Sequence, residues 1–497
     1  MSGPGVLGGV RGMTIPEGQA GRRRRVVVLL ICSSSLFITY LDSTILNVAL
    51  PTVQKDLHAS LAGLQWVADA YLLVLASLLM LAGSTADRLG RRRLFITGLF
   101  GFSLGSLACS LAPDTGSLIA LRMLQALGGS MLTPVSLSIV RNTFTDARER
   151  AQAIGIWSGI FGLATACGPV AGGVLVSEVG WRSVFWVNVP IGLAMMAAAR
   201  RYVPESRAPR PRRADVPGQL LMIAFLGSLT YAVIQGPVAG WASPPILALF
   251  AAAGGALAAF AAVERRRAEP LLELRFFRSL PFTGASVIAV LSFIVLAGFL
   301  FVITLYLQQA RGYSPLRAGL ELLPATAVMA LAAPVAGSLV GRRGPRIPLV
   351  ASGVLTALGG ALLLGLSPAT SAARLGIALA VLGAGLGLVN PPITNTGVTG
   401  MPPAQAGVAS AVISATRQIG NVLGVAVMGA MLTAGLHAGL ARGQARAAAL
   451  SAATGGPWRL AAACGILVAA VGFATTSARA RASAAAAAGE APPAGQG

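Results

Sequence analysis

An all-α integral membrane protein is the fold class this sequence predicts, and three observations carry it. Of the 497 residues, 55% are hydrophobic and only 11% are charged, less than half the charge of about 25% usual in soluble proteins. Apolar runs of about 20 residues, enough to cross about 30 Å of hydrocarbon, recur along the chain. The basic residues behind a net charge of +22 gather in alternate gaps between those runs, as topogenic charge does. A nucleic-acid partner, which that charge would suggest on a soluble chain, is therefore not expected.

Fourteen transmembrane helices are expected. The first, 26–49, follows "RRRR" and carries Asp42 inside its apolar run. The second, 64–83, carries Asp69 in "WVADAYLL", and the third, 94–112, starts after the arginine-rich turn "GSTADRLGRRR". The fourth, 117–140, contains Arg122 and Gln125; the fifth, 153–176, contains "ACGPVAGGVL"; the sixth spans 183–202. The seventh and eighth, 218–236 and 244–263, have little polar content and are bracketed by the long loops 203–217 and 264–281. Then follow 282–307, 317–340 with Glu321, 347–366, 374–397, 407–435 with "SATRQIGNVLG", and 457–476. Residues 22–202 and 282–476 thus form two six-helix halves, and 203–281 is a linker holding two inserted helices. The Gly-, Ala- and Pro-rich segments 1–21 and 477–497 are expected to be disordered cytoplasmic tails.

With the N-terminus in the cytoplasm, 28 of the 38 Lys and Arg fall inside, 8 outside and two, Arg122 and Arg417, within helices. That asymmetry places both termini in the cytoplasm. The turn after the second helix recurs weakly as "GSLVGRRGPR" after the tenth, an internal duplication of the kind seen in secondary transporters.

The residue inventory argues against catalysis. Cys32, Cys109, Cys167 and Cys464 stand isolated in apolar segments without metal-ligand spacing and read as packing residues. His58 and His437 are assigned to loops, so neither a zinc site nor a Ser-His-Asp hydrolase is expected. The one lysine, Lys55, follows no glycine-rich phosphate loop, so the chain carries no ATP-binding motif of that kind. No metal and no cofactor are expected.

Several polar residues inside the apolar runs need a reason. A carboxylate at a helix centre costs about 3 kcal/mol on insertion scales. At 100° per residue Ser35, Thr39, Asp42 and Leu46 share a face, flanked by Ser43 and Asn47, that is polar enough to line a water-filled cavity. Pairing or proton uptake offsets the cost of Asp42, or it stays neutral and caps backbone groups. On the fourth helix Arg122, Gln125, Gly129, Thr133 and Ser136 share a face, and Arg122, always charged, must meet an acid or the interior. Asp69 and Glu321 are further candidates for proton coupling or cation binding. Asp87 with Arg88, Gly90 and Arg91 forms a loop latch in which Gly83 and Gly90 permit a close turn; the arginines serve that latch or topology alone. Gly168-Pro169 interrupts a helical ladder and Gly172-Gly173 admits a close neighbour, as a pivot or as plain packing. Ser414, Arg417 and Asn421 form a stripe on the thirteenth helix, where Arg417 meets anionic substrate groups or only carbonyls. With Gln125 they are the candidate lining of a substrate cavity.

Four stretches, "LDSTILNVALP" (41–51), "GSTADRLGRRRLF" (83–95), "LIALRMLQALGGS" (118–130) and "ACGPVAGGVL" (166–175), together resemble the major facilitator superfamily. With fourteen helices the chain looks like its drug:proton antiporter family of the EmrB/QacA type, over roughly residues 25 to 476. The resemblance implies the major facilitator fold and proton-coupled efflux of amphipathic small molecules such as drugs or antibiotics by alternating access. It implies a monomer in the bacterial cell (inner) membrane, whose partners are a small-molecule substrate, protons and the lipid bilayer. It also implies that Asp42 and Arg122 form a pair that opens and closes with protonation, that the loop at 83–91 gates one conformation, and that the Gly168-Pro169 motif marks antiporters. The chain departs from the family pattern at Ala126, at Thr85 and at Gly341, which replaces the acid in the second-half copy of the loop. The family's best-known exporters of organic dications carry acids on the helix that here has Arg417 and none, which speaks against a preference for multivalent cations. An uptake symporter and a non-transport membrane sensor or enzyme remain the alternatives.

Overall fold

The computed structural model describes residues 19–207, 215–267, 274–398, 406–477, 480 and 483. The expected tails and the middles of the two long loops fall largely outside these residues. The chain folds as α1 Gln19–Asp56, α2 Leu61–Leu89, α3 Arg91–Ser110, α4 Thr115–Thr143, α5 Ala147–Glu178, α6 Ser183–Tyr202, α7 Val216–Ala239 and α8 Pro244–Arg266. Then come α9 Leu280–Ala310, α10 Leu323–Arg343, α11 Arg346–Leu362, α12 Ala372–Val398, α13 Ala406–Ala441 and α14 Arg446–Thr475. Among the described residues thirteen of these are long and apolar enough to cross a membrane. The other, α11, has 17 residues, about 25 Å at 1.5 Å per residue, the short end of the spanning range.

The helices overrun the expected apolar runs because their polar ends stay helical. α1 continues through Pro51 to Asp56, and α13 reaches Ala441, so His437 lies in a helix and not in the expected loop. The tenth span is broken. A short helix, Pro315–Glu321, is followed by Leu322 and a fresh start before Pro324, whose ring cannot donate to the ladder. α9 ends in a π-helical turn, Tyr306–Ala310. Side-chain caps set several starts. The Ser60 hydroxyl accepts from the Gly63 N–H at 3.0 Å, and Asp114 and Ser117 form a capping box. The Ser117 backbone N–H holds the Asp114 carboxyl below its ordinary range.

Three apolar cores describe how the halves sit. One, from Val28 to Val203, belongs to the first half at the end where the chain enters the bundle, and a second, from Phe276 to Val468, to the second half at that same end. At the opposite, far end a single core runs across both halves, joining Leu50, Leu64 and Phe185 to Phe301, Leu307 and Leu382. Among the described residues, therefore, the halves share a core at the far end, and the near-end cores are each confined to one half. The inserted pair packs along the outside of this seam. Leu226, Val233 and Ile234 of α7 meet Ala62 and Ala76 of α2 and Val422 and Ala426 of α13.

Candidate functional site

Asp42 and Arg122 meet. The Asp42 side chain is 1% exposed, and its Oδ2 accepts from Arg122 Nη1 at 2.5 Å. Its Oδ1 accepts from Gln125 Nε2 and from Asn188 Nδ2, each at 2.8 Å. Arg122 also donates to Gln125 Oε1 at 2.9 Å and to the Val67 carbonyl at 3.3 Å, and lies 4.2 Å over the Tyr71 ring. Asn188 passes the network on to Ser106 Oγ at 3.0 Å. Five helices, α1, α2, α3, α4 and α6, thus contribute to one carboxylate. A buried ion pair is tolerated only when its remaining lone pairs and protons are occupied, and here three donors surround the acid.

The structure turns this acid away from the expected cavity face. The space between the halves narrows to a cavity of ≈ 50 Å³ whose walls include Tyr40, Ser43, Asn47, Arg122, Phe161 and Asn421. Asp42 lies behind that wall, and Arg122 alone of the pair reaches it. Of the expected face and its flanks, Ser43, Leu46 and Asn47 line the space, and Asp42 does not. Gln125, expected in the substrate cavity, is fully buried and bonded to the carboxylate. Ser414 bonds back to the Ser410 carbonyl at 2.9 Å.

Asp69 and Glu321 do not join the pair. Asp69 is fully buried, with neither oxygen hydrogen-bonded among the described residues. It shares a helix face with Trp66 and Leu73, which pack towards α7. Glu321 lies in the short helix at the far end, 4.0 Å from Arg317.

In the loop latch, Asp87 Oδ1 accepts from Arg91 Nη2 at 2.8 Å and Nε at 3.2 Å. Arg88 ends α2 on the surface. Gly90 has φ +111, a conformation that favours glycine, and Glu205 Oε1 lies 2.7 Å from where a Cβ would stand. Gly83 is different. It sits inside α2 with open space around it and makes no close turn. Glu205 was not singled out in the sequence. Its carboxylate accepts from the Arg92 and Arg93 N–H groups at 3.1 and 3.2 Å, a negative charge on the positive end of α3. The only sequence signal was an acid, "PES", amid arginines. Asn188, equally missed, was signalled by a lone amide in "VFWVNVP".

The helix-5 glycines hold neighbours on two sides. A Cβ on Gly172 would lie 2.8 Å from the Ile45 carbonyl of α1, and one on Gly173 would lie 2.8 Å from Leu316 Cα, across the halves. Gly168 abuts Thr44, and α5 runs unbroken through Pro169. Amide side chains add to this far-end seal. Gln308 donates to the Val48 carbonyl at 2.9 Å, Gln309 to Gln54 at 2.6 Å, and Gln65 to the Ala426 carbonyl at 3.1 Å.

Comparison with known proteins agrees with this architecture. A family model described as Major Facilitator Superfamily matches residues 32–425. The chain is 40% identical over 408 residues to multidrug resistance protein Stp of Mycobacterium tuberculosis, covering 82% of this chain and 76% of that one. It is 40% identical over 412 residues to the tetracenomycin C resistance and export protein of Streptomyces glaucescens, with the same two coverages. To the methylenomycin A resistance protein of Streptomyces coelicolor it is 37% identical, covering 84% and 88%. A crystal structure of a bacterial homologue of the human lysosomal transporter Spinster, inward-facing and unoccupied, matches the fold at a TM-score of 0.65 and 19% identity, over 95% of this chain and 99% of that one. The chain belongs to the Major Facilitator Superfamily as a multi-pass membrane transport protein, not an enzyme, and its relatives at this level of identity are drug-resistance and efflux proteins.

Proposed function

We propose that this protein exports amphipathic small molecules from a bacterial cell in exchange for protons, by alternating access, as a monomer of the fourteen-helix drug:proton antiporter type. The observation that carries the reading is the buried Asp42–Arg122 pair, one member of which forms part of the cavity wall. Protonation of Asp42 removes the charge that holds Arg122 and leaves the guanidinium free to turn towards the cavity. Loss of that proton re-forms the pair. The arginine asymmetry of the loops supports both termini in the cytoplasm, so the separated near end is the cytoplasmic one and this conformation takes up substrate from inside. The loop latch at Asp87 and Arg91 stands at the same end, and Asp69 is a second acid available to a proton.

The driving force suffices. At roughly 180 mV one charge supplies about 4 kcal/mol, which sustains on the order of a thousandfold substrate gradient per proton. The test is Asp42→Asn in proteoliposomes. Asparagine keeps the shape but takes up no proton, so uphill, gradient-driven export is lost while downhill exchange of substrate persists. Normal uphill export at wild-type protein level would rule out Asp42 as the coupling group and direct attention to Asp69.

A further inference from the structure

The space between the halves holds a cation that no described acid answers. Arg417, on α13 one turn nearer the open end than Asn421, uses Nη2 for both of its hydrogen bonds. These go to Thr394 Oγ1 at 2.6 Å and, at the limit of range, to the Asn390 carbonyl at 3.5 Å. Its buried Nε has no partner. A guanidinium offers five donors in a fixed fork, and the Nε donor of this one is unused. The acid nearest the cavity, Asp42, is already saturated by Arg122, Gln125 and Asn188. The charge left at the mouth of the cavity is therefore positive.

Aromatic rings continue from that cation across the gap. The Arg417 Cζ lies 5.9 Å from the centroid of Phe293 on α9. Phe293 is 6.1 Å from Phe161 on α5, and Phe161 meets Tyr40 on α1 edge-on at 4.7 Å. Tyr40 and Phe161 line the cavity, and the buried Phe293 connects them to the Arg417 guanidinium, whose Nε is unsatisfied. A carboxylate, phenolate or enolate accepts from such a fork in a charge-assisted pair, and a planar ring system lies against the aromatic faces. An organic cation at the cavity wall meets Arg122 and no carboxylate, since neither Asp42 nor Asp69 lines it.

Resting on the export reading, we infer that the substrate class is planar aromatic molecules bearing one ionised acidic group, with the anion on Arg417 and the ring system against Phe161 and Tyr40, which line the cavity. The experiment uses inverted vesicles with an imposed proton gradient and three probes on one tricyclic aromatic skeleton: the carboxylate, its methyl ester and the corresponding amine. The wild type accumulates the carboxylate best. Arg417→Gln lowers carboxylate transport at least tenfold while ester transport stays within twofold, which also shows the variant to be folded. Arg417→Lys falls between, because lysine keeps the charge and loses the fork. Preference of the wild type for the amine or the ester, unchanged carboxylate transport in Arg417→Gln, or equal loss of carboxylate and ester would each overturn the substrate class and leave export standing. Movement of none of the three probes would overturn both.

Discussion

The two six-helix halves solve the burial of charge in opposite ways. In the first half, an acid and an arginine are brought from different helices into a closed network in which Asp42 and Arg122 are each 1% exposed. In the second half the half-buried arginine on α13 has no ion pair among the described residues, bonds Thr394 and leaves its Nε without a partner. The loop copies diverge in the same sense. The first pairs Asp87 with Arg91 at 2.8 Å, whereas the second has Gly341 with nothing within 4 Å of its would-be Cβ. A satisfied buried pair holds both charges in place and suits the switch proposed above. An unsatisfied cation beside aromatic faces is adaptable and suits a ligand.

Variants break or sharpen this contrast, in falling order of expected effect. Arg122→Ala leaves Asp42 buried and unpaired, a change that costs about 3–5 kcal/mol in comparable sites. Export is abolished and the melting temperature in detergent falls, whereas Arg417→Ala, at a half-exposed position, leaves the melting temperature nearly unchanged. Equal thermal losses for the two would erase the distinction drawn here. Asp87→Asn removes a partly exposed pair worth about 1 kcal/mol, enough to shift a two-state balance about fivefold. Transport slows several-fold while equilibrium substrate binding is retained; binding lost in parallel would indicate misfolding. The smallest effect belongs to Gly341→Asp, which restores an acid to the second loop. Because the site is open and no latch partner is positioned for it, transport stays within twofold of wild type in the same vesicle assay. A large gain or loss would reveal a second latch.

Within the first half, the reach of sequence reasoning can be followed residue by residue. The apolar runs, the intramembrane positions of Asp42 and Arg122, and the need for an unusual turn at Gly90 all follow from local composition and periodicity. Hydropathy is a local property, and a charge inside an apolar run is visible wherever it occurs. Glu205 and Asn188 were invisible for the converse reason. Each acts at a site more than a hundred positions away along the chain, and neither residue type is rare enough to draw attention alone. Gly83 shows a motif glycine whose expected turn belongs to its neighbour Gly90.

The sequence by itself determined that this is a multi-pass helical membrane protein with a short roster of intramembrane charges. Only the tertiary structure decided which way those charges point. Turning a helix by one residue's 100° separates the face of Asp42 from that of Ser43 and Asn47. Periodicity fixes that angle between faces without saying which of them meets a neighbour. Packing settles it, through glycines such as Gly172 that let α5 approach α1, and the same packing seals the far end while the near end stays apart. Contacts between residues distant in sequence carry that information, because the free energy of burying Asp42 depends on donors from two other helices, α4 and α6.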